Sequence, residues 1–593
     1  MAEVFFDGEF LNVRLSSRRN YKVVLELAKT SSYSEYIQNE GIYVISATRK
    51  NARELFNANY SFDKSAEIFI KDLKKINDNK YNGQLMFKRE LEKNQTKKDE
   101  LFDKLFNFQQ EGVSKMLEMN SNILLADEQG LGKTPQASSY LRLKENSLPA
   151  LVICPASLKL NWERELEKWA NVKSYIINGK SPENLSEEFL RKYPVFIINY
   201  DILGSEDKAE KTAEENRKKA AKEAGEKYRK RMLKVHGWCD KLIEYNFKTI
   251  IADESQALGE EGTIRTRAVT QICEALPDAK KIMISGTPYE TRTSQFYPLL
   301  HIIRPTEFNN KFKFLMRYCD PVKTFFGWQF NGLSNAEELH ERICKFMIRR
   351  LKKDVLKDLP PKIRSVIPLQ ISASERAMYD KADSELELAV INKEECVLAK
   401  MAKLKQVAFE VKKNAAIQYI KDYIENVGKL VVFIWHRKSY ETLMSEFGKI
   451  AVGLVGGVSL EDRQKAVDEF QTNDKIKLFI GNIKSAGTGI TLTAAAATVF
   501  LEFGSTAPGH LQAEDRVHRI GQIADSVMAQ YLILENSIEE DSMTTLNKRA
   551  KDLEAVIDGT VSSDMFEVED DMSMATLKEY IKRKNLNRNK IGE

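Results

Sequence analysis

Continuous apolar runs, separated by helix-like segments, dominate the pattern of hydrophobic and polar positions in the first half of the chain. They are NILLAD (122–127), ALVICP (150–155), PVFIINY (194–200), TIIADE (249–254) and KIMISGTP (281–288). Short apolar runs with long spacings are typical of buried parallel strands that are joined by crossover helices. These runs therefore predict a first α/β unit.

The same rhythm returns further along the chain and predicts a second α/β unit. Its runs are KLVVFI (429–434), KLFIGN (477–482), TVFLEF (498–503) and AQYLILE (529–535). A length of 593 residues also requires several domains, because one hydrophobic core stops growing well below that size. We predict an N-terminal domain (1–95), a first unit (96–300), a mostly helical bridge (301–420), a second unit (421–550) and a C-terminal tail (551–593).

The segments outside the two units are more polar. Residues 1–95 predict a small α+β domain with strand-like runs at 43–45 and 68–70, followed by a Lys- and Asn-rich linker. A strongly charged, helix-prone insertion lies at 205–236, and we expect a solvated helix that projects from the first unit. A DNA-contacting arm is the alternative. The tail has an acidic cluster before a basic end, which is typical of a flexible terminus.

Composition narrows the class of protein. Hydrophobic residues make up 42% and charged residues 30%, an ordinary balance for a globular protein. No apolar run approaches the ~20 residues that cross a bilayer, and the acidic start does not resemble a signal peptide. The six cysteines are scattered, which argues against a zinc module or disulfides and fits a reducing compartment. We expect an intracellular protein, cytoplasmic if bacterial or viral and nuclear if eukaryotic. A net charge of +5 neither supports nor excludes a nucleic-acid partner.

The strongest chemical signal is ADEQGLGKT (126–134), directly after a predicted strand and before a helical pattern. A phosphate-binding loop needs glycines for close backbone approach, a Lys for the outer phosphates, and a Ser or Thr hydroxyl for Mg²⁺. Gly130, Gly132, Lys133 and Thr134 supply these parts. The usual first glycine is replaced by Asp127, so the bare pattern is an imperfect match.

A pair of carboxylates follows another predicted strand, at Asp253 and Glu254 in TIIADES. An acidic residue at the carboxyl end of a strand can hold Mg²⁺, and its neighbour can polarise the attacking water. We assign Asp253 to the metal and Glu254 to the water. Each motif alone could arise by chance, but their order, spacing and strand contexts together indicate an ATP site.

With these motifs the sequence resembles superfamily 2 helicases, and among them the Swi/Snf-type ATPases, from about residue 105 to residue 522. LFNFQQEGV (105–113) resembles the adenine-reading segment and places the family's glutamine at Gln109. DEQGLGKT (127–134) is similar to this family's own phosphate loop, which begins with Asp-Glu and includes Asp127. LVICPASLKLNWERELEKW (151–169) resembles a motif whose residues around Pro155 and Ser157 face the nucleic-acid backbone. ISGTPYETR (284–292) is similar to the motif that couples hydrolysis to DNA contact through Ser285, Gly286 and Thr287. RRLKKDVLKDLPPK (349–362) resembles the bridge between the lobes.

The second unit carries matching motifs. SAGTGITLT (485–493) resembles the motif that touches both the track and the nucleotide, and it contains Gly489. QAEDRVHRIGQ (512–522) is the most family-specific stretch, and the resemblance implies that Arg516 and Arg519 reach the γ-phosphate from the second lobe. Such an arginine can contribute ~10³–10⁵ in rate. The stretch looks closest to the annealing-helicase branch.

The resemblance implies two RecA-like lobes, ATP and Mg²⁺ as ligands, and duplex or forked DNA as the partner, contacted mainly through phosphates. A single-strand DNA or RNA helicase of the same superfamily stays open, as does an ATP-binding scaffold without turnover. One departure concerns coupling: family members commonly carry His after Asp-Glu-Ser, whereas this chain has Gln256. The amide keeps hydrogen-bonding capacity, so we expect hydrolysis to survive.

Overall fold

The computed structural model describes most of the chain. The described residues are 99–559 without 120, 225–227, 229–230, 325–326, 393, 487–489 and 505, together with short pieces at 3–6, 10–14, 24, 34–37, 42–46, 55, 60–67, 580 and 584. The predicted run at 68–70, Gly489 and most of the tail lie outside these residues.

A small sheet forms the described part of the N-terminal region. Its strands are β1 (Glu3–Phe6), β2 (Phe10–Arg14), β3 (Ser34–Ile37), β4 (Ile42–Ser46) and β5 (Ser61–Phe62). The strand order is β3-β4-β2-β1-β5, antiparallel except for the β1–β5 pair. The predicted strand-like run at 43–45 lies in β4.

The first lobe begins after this region and alternates helices with strands. In chain order its elements are α1 (Asn107–Glu118), β6 (Ile123–Leu125), α2 (Lys133–Leu143), β7 (Ala150–Cys154), α3 (Lys159–Ala170), β8 (Ser174–Ile176), α4 (Glu187–Lys192), β9 (Val195–Asn199), α5 (Lys208–Glu223), α6 (Trp238–Glu244), β10 (Thr249–Asp253), α7 (Ile264–Ala275), β11 (Lys280–Ile284) and α8 (Tyr297–Ile303). Helix α5 occupies the charged insertion, as its composition predicts.

The bridge between the lobes is mixed. Its elements are α9 (Lys311–Tyr318), β12 (Pro321–Thr324), β13 (Gly327–Phe330), α10 (Ala336–Ile343), β14 (Met347–Ile348), α11 (Lys352–Val355), β15 (Lys362–Pro368), α12 (Ala373–Ile391) and α13 (Val397–Asn426). Strand β14 pairs with β6 in the first sheet, and β15 pairs with β20 in the second. The stretch predicted to be helical therefore also supplies one strand to each lobe.

The second lobe repeats the alternation. It contains β16 (Leu430–Ile434), α14 (Arg437–Phe447), β17 (Ala451–Leu454), α15 (Leu460–Thr472), β18 (Leu478–Asn482), α16 (Ile483–Ala486), β19 (Ala497–Phe500), α17 (Ala507–Glu514), β20 (Val527–Ile533) and α18 (Ile538–Ile557). Helix α18 crosses the predicted boundary at residue 550.

Both large sheets are parallel throughout, which confirms the α/β prediction. The strand order is β14-β6-β11-β10-β7-β9-β8 in the first lobe and β15-β20-β19-β16-β18-β17 in the second. Alternate residues of one strand enter different cores: Leu151 and Ile153 face one side, while Ala150 and Val152 face the other. Because both faces are covered, the strands read as continuous apolar runs.

Helix α18 joins the two lobes. Leu546 and Ala550 pack with Phe503 of the second lobe, whereas Val556 and Ile557 belong to the core of the first. Within the described part of the chain, no helix is long and apolar enough to span a membrane.

Candidate nucleotide site

The glycine-rich loop lies between β6 and α2, at the carboxyl edge of the first sheet. Gly130 and Gly132 adopt left-handed backbone conformations, with φ of 85° and 71°. A side chain would be strained there, and a Cβ at Gly132 would also collide with the amide of Gln109. The glycines let the backbone turn directly into α2, whose first residue is Lys133. A helix N-terminus of this kind offers free N–H groups to an anion.

Lys133 points into the concave side of the loop. Its Nζ donates to the carbonyl of Asp127 at 2.8 Å and to that of Glu128 at 3.3 Å. Burial lowers the pKa of Lys133, while the carboxylates of Glu254, Asp127 and Asp253 act in the opposite direction. The Lys133 ammonium therefore lies between the loop and the carboxylate pair Asp253–Glu254. A phosphate bound there can accept the hydrogen bonds that Nζ now donates to the two loop carbonyls. Thr134 follows Lys133 in the first turn of α2.

The Asp127 side chain does not point toward Lys133. Its carboxylate forms an ion pair with Arg350 and accepts a hydrogen bond from Gln136 Nε2 at 2.9 Å. The side chain is fully buried. The carboxylate thus fastens the loop to the segment after β14, and the backbone carbonyl of Asp127 is the group that contacts Lys133.

Gln109 supports the loop from the N-terminal end of α1. Its Nε2 donates to the carbonyl of Leu131 at 3.1 Å, and its Oε1 accepts the N–H of Phe106 at 3.1 Å. The predicted glutamine therefore lies against the loop, although 22 residues separate Gln109 from Leu131 in the sequence.

The two carboxylates come next to the loop at the end of β10. Asp253 Oδ2 accepts a hydrogen bond from Trp162 Nε1 at 2.8 Å, and Oδ1 accepts the N–H of Glu254 at 2.9 Å. Burial and the neighbouring Glu254 carboxylate raise the pKa of Asp253, against the influence of Trp162 and Lys133. A cation beside these carboxylates would relieve their mutual repulsion, so the donor set fits a hard divalent ion.

Glu254 is held at a turn with φ of 50° and is tied to a second motif. Gln256 Nε2 donates to Glu254 Oε2 at 2.8 Å, and Ser285 Oγ donates to Gln256 Oε1 at 2.7 Å. Ser285 Oγ also accepts the N–H of Thr287 at 3.1 Å. The amide that replaces the family's usual His thus bridges the predicted water-polarising carboxylate and the Ser285-Gly286-Thr287 motif.

The second lobe delivers both predicted arginines to this edge. Arg516 and Arg519 each donate from Nη1 to the carbonyl of Ile490 at 3.3 Å. Burial and the adjacent Arg519 lower the pKa of Arg516 to about 10, while Glu254 acts in the opposite direction. A Cβ on Gly130 would lie 3.6 Å from Arg519 Cγ. The Arg519 side chain therefore passes beside the loop, and the charge of Arg516 interacts with that of Glu254, while the guanidinium hydrogen bonds of both arginines go to the second lobe.

An ion-pair network around Lys352 connects the phosphate loop with the second lobe. Lys352 Nζ contacts Asp515 Oδ1 at 2.9 Å and the carbonyl of His518 at 2.9 Å. Its own N–H donates to Glu128 Oε2 of the loop at 2.7 Å. Lys362 and Arg364 form ion pairs with Glu514. Glu514 is the last residue of α17, the helix in which the arginine motif (512–522) begins. One lysine thus connects the phosphate loop directly with the segment that carries Arg516 and Arg519.

Several supporting residues escaped the sequence analysis. Trp162, Arg350, Lys352 and Gln512 reach the site from distant parts of the chain, and Gln512 Nε2 is 3.5 Å from Thr287 Oγ1 across the lobes. Trp162 lies in a motif that the resemblance assigned to nucleic acid, so a hydrogen bond to Asp253 was not expected. Of these residues, only Arg350 could have been found from the sequence. It stands beside Arg349 at the end of a strand, and two adjacent arginines there predict carboxylate partners.

The architecture defines a class: a nucleotide site shared by two parallel-sheet lobes, with the loop and carboxylates on one and the arginines on the other. Sequence profiles give the family. The profile of the SNF2-related domain matches residues 108–421, more than half of the chain, and that of the helicase conserved C-terminal domain matches residues 412–521. The chain belongs to the SNF2-related family.

Similar proteins include DNA helicases of animals. The chain is 32% identical over 80% of its length to the SWI/SNF-related matrix-associated actin-dependent regulator of chromatin subfamily A-like protein 1 homolog of Caenorhabditis elegans, and covers 64% of it. It is 29% identical over 78% of its length to the human DNA annealing helicase and endonuclease ZRANB3, and covers 41% of that protein. The predicted resemblance to the annealing-helicase branch is thereby confirmed. The chain spans only part of the length of these relatives.

One similar solved structure is the Sulfolobus solfataricus SWI2/SNF2 ATPase core in complex with dsDNA. It is 23% identical, matches 81% of this chain and 96% of that one, and superposes with a TM-score of 0.35.

Proposed function

We propose that this chain is an ATP-hydrolysing motor that tracks along duplex DNA and rewinds or remodels it. The observation that carries the proposal is the approach of Arg516 and Arg519 to Glu254 and the phosphate loop, since a site completed only by lobe closure can convert hydrolysis into relative lobe movement. The relatives named as DNA annealing helicases support the choice of DNA.

The proposed roles follow the contacts. Lys133 binds the outer phosphates in place of the two carbonyls that it contacts, and Glu254 orients the attacking water while Gln256 fixes its carboxylate. Arg516 and Arg519 stabilise the charge that develops on the transferred phosphoryl group. Gln109, Gly130 and Gly132 shape the side of the loop that faces the nucleotide. Gly489, in the motif at 485–493, is the nucleotide-binding residue that we assign to the second lobe.

Mg²⁺ would be held by Asp253 and Thr134. When bound, the ion supplies charge neutralisation between the phosphates and the carboxylate pair. The Trp162 N–H holds one oxygen of Asp253, which leaves the carboxylate in a fixed orientation toward the loop. Binding of a cation also favours the ionised form of Asp253 against the burial that raises its pKa.

A series of four hydrogen bonds supports coupling between hydrolysis and movement. The hydrogen-bonded series Glu254–Gln256–Ser285–Thr287 ends at Gln512 of the second lobe, four residues before Arg516. A change at Glu254 during hydrolysis is therefore transmitted to the surface where the lobes meet. Grip on the DNA through phosphates makes binding largely independent of sequence and sensitive to salt.

Steady-state ATP hydrolysis tests the proposal. The purified chain is assayed without nucleic acid and with duplex DNA, forked DNA, single-stranded DNA and RNA, alongside Lys133→Ala. We expect strong stimulation by duplex or forked DNA that Lys133→Ala abolishes, and annealing activity on the same substrates. Stimulation by single strands or RNA alone would contradict the duplex track while sparing the motor. No hydrolysis on any substrate would favour an ATP-binding scaffold.

A further inference from the structure

The charged insertion at 205–236 is firmly rooted in the first lobe. We define the insertion arm as residues 205–236. Its two ends pair through Ser205 and His236, whose backbones exchange hydrogen bonds of 3.0 and 2.9 Å. Arg267 of α7 donates to Glu206 and to the carbonyl of Leu233, and Gln271 contacts both backbone groups of Val235. An arm anchored in this way keeps a fixed direction, which an independently mobile loop would not.

Three of the seven acidic side chains in the arm are held by hydrogen bonds or by an ion pair. Glu214 is buried and accepts hydrogen bonds from Tyr228 Oη at 2.6 Å and the N–H of Arg231 at 2.7 Å. Asp207 caps the N-terminus of α5 by accepting the N–H of Ala209. With Glu206 bound to Arg267, three acidic side chains are occupied. The arm holds eleven Lys and Arg residues against seven Asp and Glu residues, an excess of +4 in a chain whose total is +5.

Five basic side chains of α5 form a stripe along the helix, which we call the basic stripe. On a helix with ~100° per residue, Lys208, Lys211, Lys218, Lys219 and Lys222 fall within about 100° of the circumference of α5, and buried Glu214 lies just outside one edge of that sector. All five are exposed, and within the described part of the chain they make no ion pair. Glu215 is the one acidic residue inside this basic stripe. The 16 residues of α5 extend over about 24 Å, the length of roughly seven base pairs.

A groove continues the basic surface at the root of the arm. It has a volume of about 410 Å³ and lies between the end of β9, the arm and the start of α7. Lys180 and Arg265 line it with His236 and Thr263, and Asp201 is the acidic group that faces it. Since β9 neighbours β7 in the sheet, the groove lies at the same edge as Pro155 and Ser157, which the resemblance assigns to the nucleic-acid backbone.

We propose that the basic stripe of α5 and the groove at its root form an additional binding surface for the phosphate backbone of duplex DNA, beside the track between the lobes. The proposal rests on the proposed function, because it extends the contact of the same motor with the same polymer. The arm lengthens the duplex footprint of the first lobe, so that this lobe keeps hold while the second lobe opens.

Charge substitutions in the full chain test this surface. The first variant combines Lys211→Gln, Lys218→Gln and Lys222→Gln; the second is Lys180→Gln in the groove. Duplex affinity is measured by fluorescence anisotropy over a series of salt concentrations, together with ATP hydrolysis without DNA. Lys381→Gln, an exposed lysine on α12, is the control for loss of a remote positive charge.

We expect the triple variant to bind duplex DNA at least about tenfold more weakly, with a salt dependence reduced by about 2–3 in log–log slope, since each lost phosphate contact removes roughly 0.9. Lys180→Gln should reduce the slope by about 1. Glu215→Gln removes the opposite charge from the same stripe and should tighten binding by about twofold. Hydrolysis without DNA should not change in any of them.

The outcomes separate the two proposals. If duplex DNA stimulates the native chain but the triple variant keeps native affinity and salt slope, the arm is not a DNA surface and the motor stands. If Glu215→Gln weakens binding as the lysine variants do, the effect comes from the fold of the arm, and the surface is again excluded. If the native chain neither binds duplex DNA nor responds to it, both proposals fail.

Discussion

At the scale of single residues, Gln256 is the most informative position, because its amide donates to Glu254 and accepts from Ser285 at the same time. Gln256→Ala removes both hydrogen bonds and leaves the Glu254 carboxylate free to rotate. A hydrogen bond to a charged group contributes about 1.5–3 kcal/mol. We expect DNA-stimulated kcat to fall about tenfold or more while the KM for ATP changes by less than about twofold, measured by steady-state hydrolysis.

The partner residue supplies the control. Ser285→Ala keeps the hydrogen bond between Gln256 and Glu254 but removes the one to Gln256 Oε1 and the one from the N–H of Thr287. The double variant should lose less than the sum of the two single effects, because the residues act in one series. Strictly additive losses in kcat would mean that Gln256 and Ser285 act separately, and the coupling described above would then be wrong.

A second residue-scale prediction concerns acid stability. Burial alone would raise the pKa of Glu514, but Lys362 and Arg364 outweigh it and lower that pKa to about 2. A carboxylate whose folded pKa is depressed stabilises the protein above its unfolded pKa and loses that contribution as pH falls toward the folded value. The shift from 4.5 corresponds to about 3 kcal/mol above pH 5.

Glu514→Gln isolates this contribution. The difference in unfolding midpoint between the native chain and the variant, followed in urea by circular dichroism, should be largest above about pH 5 and shrink toward pH 2. A difference that stays constant over that range would show that the Glu514 carboxylate is not the titrating group.

At the scale of elements, helix α18 acts as a strap between the lobes. Asp558 at its end pairs with Arg349 at 2.7 Å, and Arg349 also donates to the carbonyls of Ala126 and Gly286 beside the phosphate loop. Asp558→Ala leaves a largely buried guanidinium without its carboxylate. We expect a loss of about 2–4 kcal/mol in unfolding free energy and faster hydrogen exchange at β6 and the loop.

Lys551→Gln on the same helix is the matched control. It removes one charge without touching Arg349, and hydrogen exchange at β6 should match that of the native chain. If Asp558→Ala also leaves exchange at β6 unchanged, the strap does not stabilise the phosphate loop.

At the scale of the whole molecule, the two lobes meet through Lys352. Its side chain is 4% exposed and contacts Asp515 and His518, while its backbone holds Glu128. Lys352→Met leaves Asp515 with a weakened ion-pair network and opens the lobes. We expect a longer interlobe distance by fluorescence energy transfer and at least a tenfold drop in DNA-stimulated kcat, since displaced arginines forfeit part of a contribution of ~10³–10⁵.

Lys353 offers a neighbour of identical type for comparison. It lies next to Lys352 on α11 but is exposed, so Lys353→Met should preserve both the interlobe distance and kcat. An unchanged energy-transfer signal in Lys352→Met would indicate that packing under α18, rather than this lysine, sets the distance between the lobes.

The sequence by itself determined the strands and the chemical groups of the site. All nine continuous apolar runs became strands, because a strand covered on both faces must be apolar at every position. In the two large sheets the strands β8, β14, β15 and β17 were missed. Three of them have only two to four residues and carry little periodic signal, and in β15 Lys362, Arg364 and Ser365 interrupt the apolar pattern. Lys133, Asp253 and Glu254 could be found because a loop or strand end places neighbours in sequence next to each other in space.

Tertiary structure alone decided which distant groups meet. No local pattern pairs Asp127 with Arg350 or Trp162 with Asp253, since each pair is brought together by sheet order. The position of Arg516 and Arg519 beside the first lobe likewise comes from how the two lobes pack, with Lys352 and helix α18 in contact with both. Residue types and local spacing fix what chemistry is available, whereas packing of the two sheets and the bridge fixes which of those groups act on one another.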